Sequence, residues 1–134
     1  MKNQRKFENL LVWQRSVPLT KKIYFHFNVS DDFGFRNQIQ HAAISISNNI
    51  AEGFDRKSDR EFKRFLAIAL GSLSEVKSMV ITAFHLSYIN EEDQQEPVGQ
   101  IDAIGKMTNS LINFLTKELE KNKQYFVQRL TSNV

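Results

Sequence analysis

Cysteine is absent from the 134 residues, which excludes a disulfide framework and any thiolate metal site and fits a reducing, cytoplasmic setting. A chain of this length buries a core without staples, and one domain accounts for it. Only two prolines and five glycines occur, too few for an all-β domain built on tight turns. The glycines are dispersed rather than clustered after a strand, so no phosphate-cradling loop is written. Long hydrophobic runs are also missing. The longest uncharged greasy run, Phe65 to Ser74, is fenced by Arg64 and Glu75 and is about half of the roughly 20 residues that span a bilayer. The apolar run Leu10 to Trp13 is shorter than the roughly 7–15 residues of a signal-peptide core. A soluble protein without a membrane partner is expected. The formal net charge of +3 and pI near 9.2 favour phosphates only if the charge is concentrated.

Helical periodicity fills most of the chain. A first helix is predicted from about Asn9 to Phe27, with Leu10, Trp13, Val17, Tyr24 and Phe27 on one face; Pro18 inside it predicts a kink or a late start. Asn28 to Phe35 has the composition of a loop. A second helix, Asn37 to Gly53, carries the stripe Ile39, Ala42, Ala43, Ile46, Asn49, Ile50 and Gly53, with Gly53 read as a left-handed terminator before the turn "FDRK". Ser58 and Glu61 form a capping-box pair ahead of a third helix whose stripe is Phe62, Phe65, Leu66, Ala69, Leu73, Val76, Val80, Ala83 and Phe84, as far as "LSYIN". The segment "EEDQQEPVGQ" reads as a loop or frayed start. Ile101, Ile104, Thr108, Leu111, Ile112, Leu115 and Leu119 give a fourth stripe, and residues 121–134 a polar, partly ordered extension to a core of about 7–120. These are the ingredients of an all-α, antiparallel up-down-up-down four-helix bundle.

The small residues are unusual. Asn48 and Asn49 interrupt a thin second helix, and Arg60, Arg64, Ala67, Gly71, Ser74 and Ser78 share the back face of the third. A back face without Lys and Glu suggests a second packed surface, such as a sister subunit. Glu52 and Glu75 stand among apolar or small neighbours; they are either carboxylates of raised pKa suited to acid-base work or hydrogen-bonded structural groups inside the bundle, and the second reading is preferred. His26, His41 and His85 fall in no zinc-binding spacing. Neither a metal, a cofactor nor a catalytic residue is indicated. The segment Arg56 to Arg64 is basic: Arg56, Lys57, Arg60, Lys63 and Arg64 against two acids, suited to a phosphate backbone or simply to solvent. Lys2, Arg5 and Lys6 form a smaller basic group.

Taken together, "FENLLVWQRS", "NQIQHAAISISNNIAEGFDRKSDREFKRFLAIALGSLSEVKS" and "LSYIN" resemble the four-helix-bundle family of bacterial 23S ribosomal RNA intervening-sequence proteins, over about Phe7 to Leu119. The most specific part is Ser45-Ile46 through Asn49-Ile50-Ala51-Glu52-Gly53, followed by Arg56, Ser58, Glu61, Phe62, Phe65, Leu66, Gly71, Ser72 and Glu75. The resemblance implies a bundle that assembles as a closed ring, typically a pentamer. It also implies kinship with the accessory protein of diversity-generating retroelements, a basic barrel that binds reverse transcriptase and nucleic acid. Most members have no settled activity. Two departures weaken the nucleic-acid reading of the second helix: Gln40 and His41 stand where the family commonly has two arginines, and Ser47 where it often has proline.

The expectation is therefore a non-enzymatic, self-assembling bundle that contacts RNA or a nucleic-acid-processing protein through Arg56, Lys57, Arg60, Lys63, Arg64, Lys2, Arg5 and Lys6. Asn49, Glu52, Gly53, Ala67, Gly71, Ser74 and Glu75 would serve its interior or its subunit interface. The alternative is a protein-docking or structural module with no nucleic-acid role.

Overall fold

A computed structural model of the chain describes residues 6–132. A short 3-10 turn, Phe7–Asn9, leads into four helices: α1 (Leu11–Phe27), α2 (Phe33–Asp55), α3 (Asp59–His85) and α4 (Glu91–Ser132). Each packs against its neighbours in sequence, and α4 closes the square against α1. The result is an all-α, antiparallel four-helix bundle around one core. Two loops meet at one end, where the Tyr88 hydroxyl of the α3–α4 loop donates to Asp32 Oδ2 of the α1–α2 loop at 2.7 Å. Lys22–Glu96 at 2.9 Å and His26–Asp93 at 3.9 Å tie α1 to α4 there. The α2–α3 turn and the start of α1 lie at the other end.

Three of the four predicted stripes form the core. In α3, Phe62, Phe65, Leu66, Ala69, Leu73, Val76, Val80 and Ala83 are buried. This helix is long and apolar enough to cross a membrane by length and composition, with mean hydropathy 1.5, but its apolar side is the one turned onto α2 and α4. Burying a Leu or Ile side chain is worth about 1.5–3 kcal/mol, whereas exposed ion pairs contribute about 0–1 kcal/mol. The stripes, not the surface bridges, therefore hold the bundle together.

Helix α1 departs from the expected face. Val12, Ser16, Leu19, Ile23 and Phe27 are buried while Val17 is exposed. The true stripe passes through a serine, whose hydroxyl is satisfied by Val12 O at 2.7 Å and so tolerates burial. Trp13 packs instead on Phe7, ring centroids 5.2 Å apart. The helix begins at Leu11, well before Pro18, so proline does not delay it.

Helix ends explain the other differences. Asp32 caps α2 by accepting from Phe35 N at 3.2 Å, so α2 starts four residues earlier than its apolar period shows. Gly53 does not terminate it: the helix continues to Asp55, and the left-handed residue is Lys57 at φ 57°. A Cβ built on Gly53 would overlap Phe65 Cβ, so glycine is required there by the close approach of α3. Half of the capping box forms, Ser58 Oγ accepting from Glu61 N at 3.3 Å, while the Glu61 carboxylate turns to Arg64. Ser87, at φ 62°, ends α3 with Tyr88 N donating to Ala83 O at 2.8 Å, a left-handed stop.

The segment "EEDQQEPVGQ" is helix rather than loop. Asn90 Oδ1 accepts from Asp93 N at 2.8 Å, and Glu91, Glu92 and Asp93 occupy the first turn, where carboxylates complement the helix dipole. The predicted extension is helix too: α4 continues through Ser132, with residues 120–132 exposed.

Replacing Gly53 with Ala forces α2 and α3 apart and should cost about 1–3 kcal/mol in urea denaturation. Gly105→Ala, where an added Cβ meets nothing within 4 Å, should instead stabilise by about 0.5–1 kcal/mol; equal effects of the two substitutions would contradict the close approach. The Tyr88 hydrogen bond, more than the Phe35 amide, lowers the Asp32 pKa, and the same bond raises that of Tyr88. A depressed carboxylate pKa contributes stability above its unfolded value that is lost as pH falls through the folded value. The stability gap between wild type and Tyr88→Phe should accordingly be widest near neutral pH and shrink as pH falls through and below the ordinary carboxylate range.

Candidate nucleic-acid interface

The α2–α3 turn gathers the predicted basic residues around one aromatic ring. Phe65 is buried at the start of α3, and the guanidinium carbons of Arg56 and Arg64 lie 5.1 and 4.7 Å from its centroid. Cation–π attraction of this kind orients a guanidinium at modest cost. Both arginines also have carboxylate partners. Arg56 Nη2 meets Glu52 Oε1 at 3.2 Å, and Arg64 donates to both Glu61 oxygens at 2.8 and 3.4 Å. The Arg64 hydrogen bond lowers the Glu61 pKa and Glu61 raises that of Arg64, so this pair stays ionised.

Lys57, Arg60 and Lys63 are different. Among the described residues they have no ion pair, and Lys57 and Arg60 are exposed with Lys63 half-buried. Lys57 projects from the left-handed residue between the two helices. Arg64, though exposed, lies over the Phe65 ring. Lys6 caps the 3-10 turn that packs on α1 and α2, which brings it to the same end. Lys2 and Arg5 lie outside the described residues.

Four further cations extend this basic end. Lys117, Lys121, Lys123 and Arg129 follow one another along α4, which runs antiparallel to α3 and continues past the α2–α3 turn. Lys117 falls within the predicted fourth helix, and the other three lie in the segment 121–134 taken as a polar extension; the signal there was Phe126 and Leu130, which keep the α4 period of Leu115 and Leu119.

The family-motif residues divide into two groups. Gly53 is buried between α2 and α3, and Asn49 Nδ2 donates to Ser45 O of its own helix at 2.7 Å, so neither presents itself to a second subunit. The small residues Ala42 and Ala43 are likewise buried within the chain; Thr20 of α1 donates to Ala43 O at 3.2 Å. These small residues of α2 thus pack within their own bundle, which is the interior role among the two expected for them. Ala67, Gly71 and Ser74 are exposed on the outer flank of α3, with Ile68 of the same helix also exposed. Glu75 accepts from Gln38 Nε2 at 3.2 Å on the rim of a shallow depression lined by Asn37, His41, Ala42 and Ser45. Neither Glu52 nor Glu75 is buried, so neither has the desolvated setting that acid-base chemistry would use. No three His, Cys, Asp or Glu residues among those described approach closely enough to hold a metal ion.

The fold is that of a small antiparallel four-helix bundle, with a cluster of basic residues at the end where α2 turns into α3. The model of the 23S rRNA-intervening sequence protein family matches residues 8–110, and the chain belongs to that family. The fold is shared with a crystal structure of a protein of unknown function from the S23 ribosomal protein family of Bacteroides thetaiotaomicron VPI-5482. That likeness has a TM-score of 0.72 at 24% identity and covers 76% of this chain and 98% of the other. No curated protein matches the chain.

Proposed function

We propose that the chain is a non-enzymatic helical scaffold that assembles with copies of itself and contacts RNA phosphates through its basic end. The observation that carries the RNA contact is the grouping of Lys57, Arg60 and Lys63, which have no ion pair among the described residues, beside Arg56 and Arg64 held on Phe65. Positive side chains fixed on a rigid turn lose little freedom on meeting a phosphate and release counterions from the nucleic acid when they do. Base-specific readout is not part of the reading: Phe65, the aromatic at the centre, is buried and offers no face for stacking. The family description, which concerns the intervening sequence of 23S ribosomal RNA, is compatible with an RNA partner. The cytoplasm is the setting in which such a partner is met.

Self-assembly is supported by the outer flank of α3. Ala67, Gly71 and Ser74 are small and exposed, with Ile68 exposed on the same helix, and a neighbouring helix approaches closely over such small residues. One observation favours a second reading, a protein-docking scaffold without RNA: Arg56 and Arg64 already have carboxylate partners within the chain.

Light scattering coupled to size-exclusion chromatography tests both halves. Wild type should elute as an assembly. Gly71→Leu should reduce its mass at unchanged helicity, because an added Cβ at Gly71 meets nothing within 4 Å in the single chain; an unchanged mass would remove α3 from the interface. Added structured RNA should shift the assembly at low salt, with log affinity falling against log salt by about 0.7–0.9 per phosphate contacted. Reversing Lys57, Arg60 and Lys63 to Glu should abolish the shift. Retained RNA binding in that triple variant would refute the basic end as the contact, and an assembly indifferent to RNA would favour protein docking.

A further inference from the structure

The core-facing stripe of α4 continues where the bundle stops. Ile101, Ile104, Thr108 and Leu115 are buried and Leu119 half-buried. At the same helical phase come Phe126 and Leu130, which are 63% and 56% exposed. Helix α3 has 27 residues and α4 has 42. At about 1.5 Å per residue, the last roughly 14 residues of α4 therefore stand some 20 Å beyond α3. This arm lies past the residues matched by the family model, which end at 110. Lys123 and Arg129 flank its apolar stripe. A soluble protein rarely leaves such a stripe uncovered.

The opposite end of the molecule has the complementary character. Val29 and Phe25 are 86% and 76% exposed there, with Tyr88 exposed beside them. Val29, Phe27 and Tyr88 line an open depression together with His26, Asp31 and Asp32. Asp93 stands 3.9 Å from His26, and Glu91 and Glu92 follow from the start of α4. Acidic groups lie in and around a depression of mixed polar and apolar lining at one end, and a helix whose apolar stripe is flanked by Lys123 and Arg129 projects from the other.

We propose that the α4 arm of one copy docks on the acidic end of a second copy, joining bundles end to end. Phe126 and Leu130 would cover the Val29–Tyr88 hollow, with Lys123 and Arg129 toward Asp31 and Asp93. The occupant is another copy because both halves of the contact, opposite in charge, are carried by this chain. An arm cannot reach its own acidic end, since the length of the bundle separates them. Two arms paired with each other would bring their lysines and arginines together, at a cost. The contact is heterologous, so it propagates unless the rotation between copies closes a ring. It joins ends rather than sides and is independent of the α3 flank; Lys123 and Arg129, which also extend the basic end, would be shared with any RNA bound there.

Two variants of the full chain test it: an arm variant, Phe126→Glu with Leu130→Glu, and an end variant, Val29→Arg with Asp31→Lys. All four positions are exposed or outside the core, so circular dichroism should show an unchanged bundle. In light scattering without RNA, wild-type mass should rise with concentration and fall with added salt, and each variant alone should have at most about half the wild-type mass. Mixing the two should restore a larger species, because the arm variant keeps an intact acidic end and the end variant an intact arm. Three outcomes would each overturn the proposal: wild-type mass independent of concentration, loss of assembly in only one variant, or no recovery on mixing. Gly71→Leu run alongside separates this contact from side-by-side assembly, since it should leave the concentration-dependent growth in place.

Discussion

Helix α2 meets its two neighbours at points where it has almost no side chain to hold them off. At Ala43 its backbone carbonyl accepts from Thr20 of α1, and at Gly53 the start of α3 lies so near that a Cβ would collide with Phe65. These two close approaches, one at the middle of the helix and one near its C-terminus, set how tightly the square closes. The consequence at the Gly53 end is functional. Phe65 is seated against α2, and once seated it becomes the ring over which Arg56 and Arg64 settle. The packing constraint and the placement of the basic turn are one arrangement.

Charge then follows topology. An antiparallel bundle gathers the ends of non-adjacent helices, so Lys6, the α2–α3 turn and the far part of α4 share one end. At the other end the α1–α2 loop carries Asp31 and Asp32, and the first turn of α4 carries Glu91, Glu92 and Asp93. A mildly basic chain overall is thereby a strongly polar object, and its net charge understates the field either partner would meet. The hydrogen bond between Tyr88 and Asp32 locks the two loops together at the acidic end and holds the α2 cap in its charged form.

Most of the interior was readable before any coordinates. Wherever apolar residues recur at three and four without interruption, as from Phe62 to Ala83 or Ile101 to Leu115, the predicted stripe is the buried one. The reading failed where a polar residue occupies a core position or a cap replaces an apolar signal. In α1 the stripe runs through Ser16, whose hydroxyl is satisfied by its own helix. In α4 the start is announced by Asn90 and three acids rather than by periodicity. Gly53 was given the commonest role of a glycine near a helix end, whereas its real role depends on a residue from another helix.

The sequence by itself determined that there are four helices, the core faces of three of them, the family and the basic composition of the α2–α3 turn, because periodicity, capping and local motifs are properties of neighbouring residues. Only the tertiary structure decided that the small residues of α2 are spent within the chain, that Arg56 and Arg64 converge on Phe65, and that α4 outruns the bundle. Each of those depends on which helix lies beside which and at what height, and a local pattern does not encode the distance between backbones that meet only after folding.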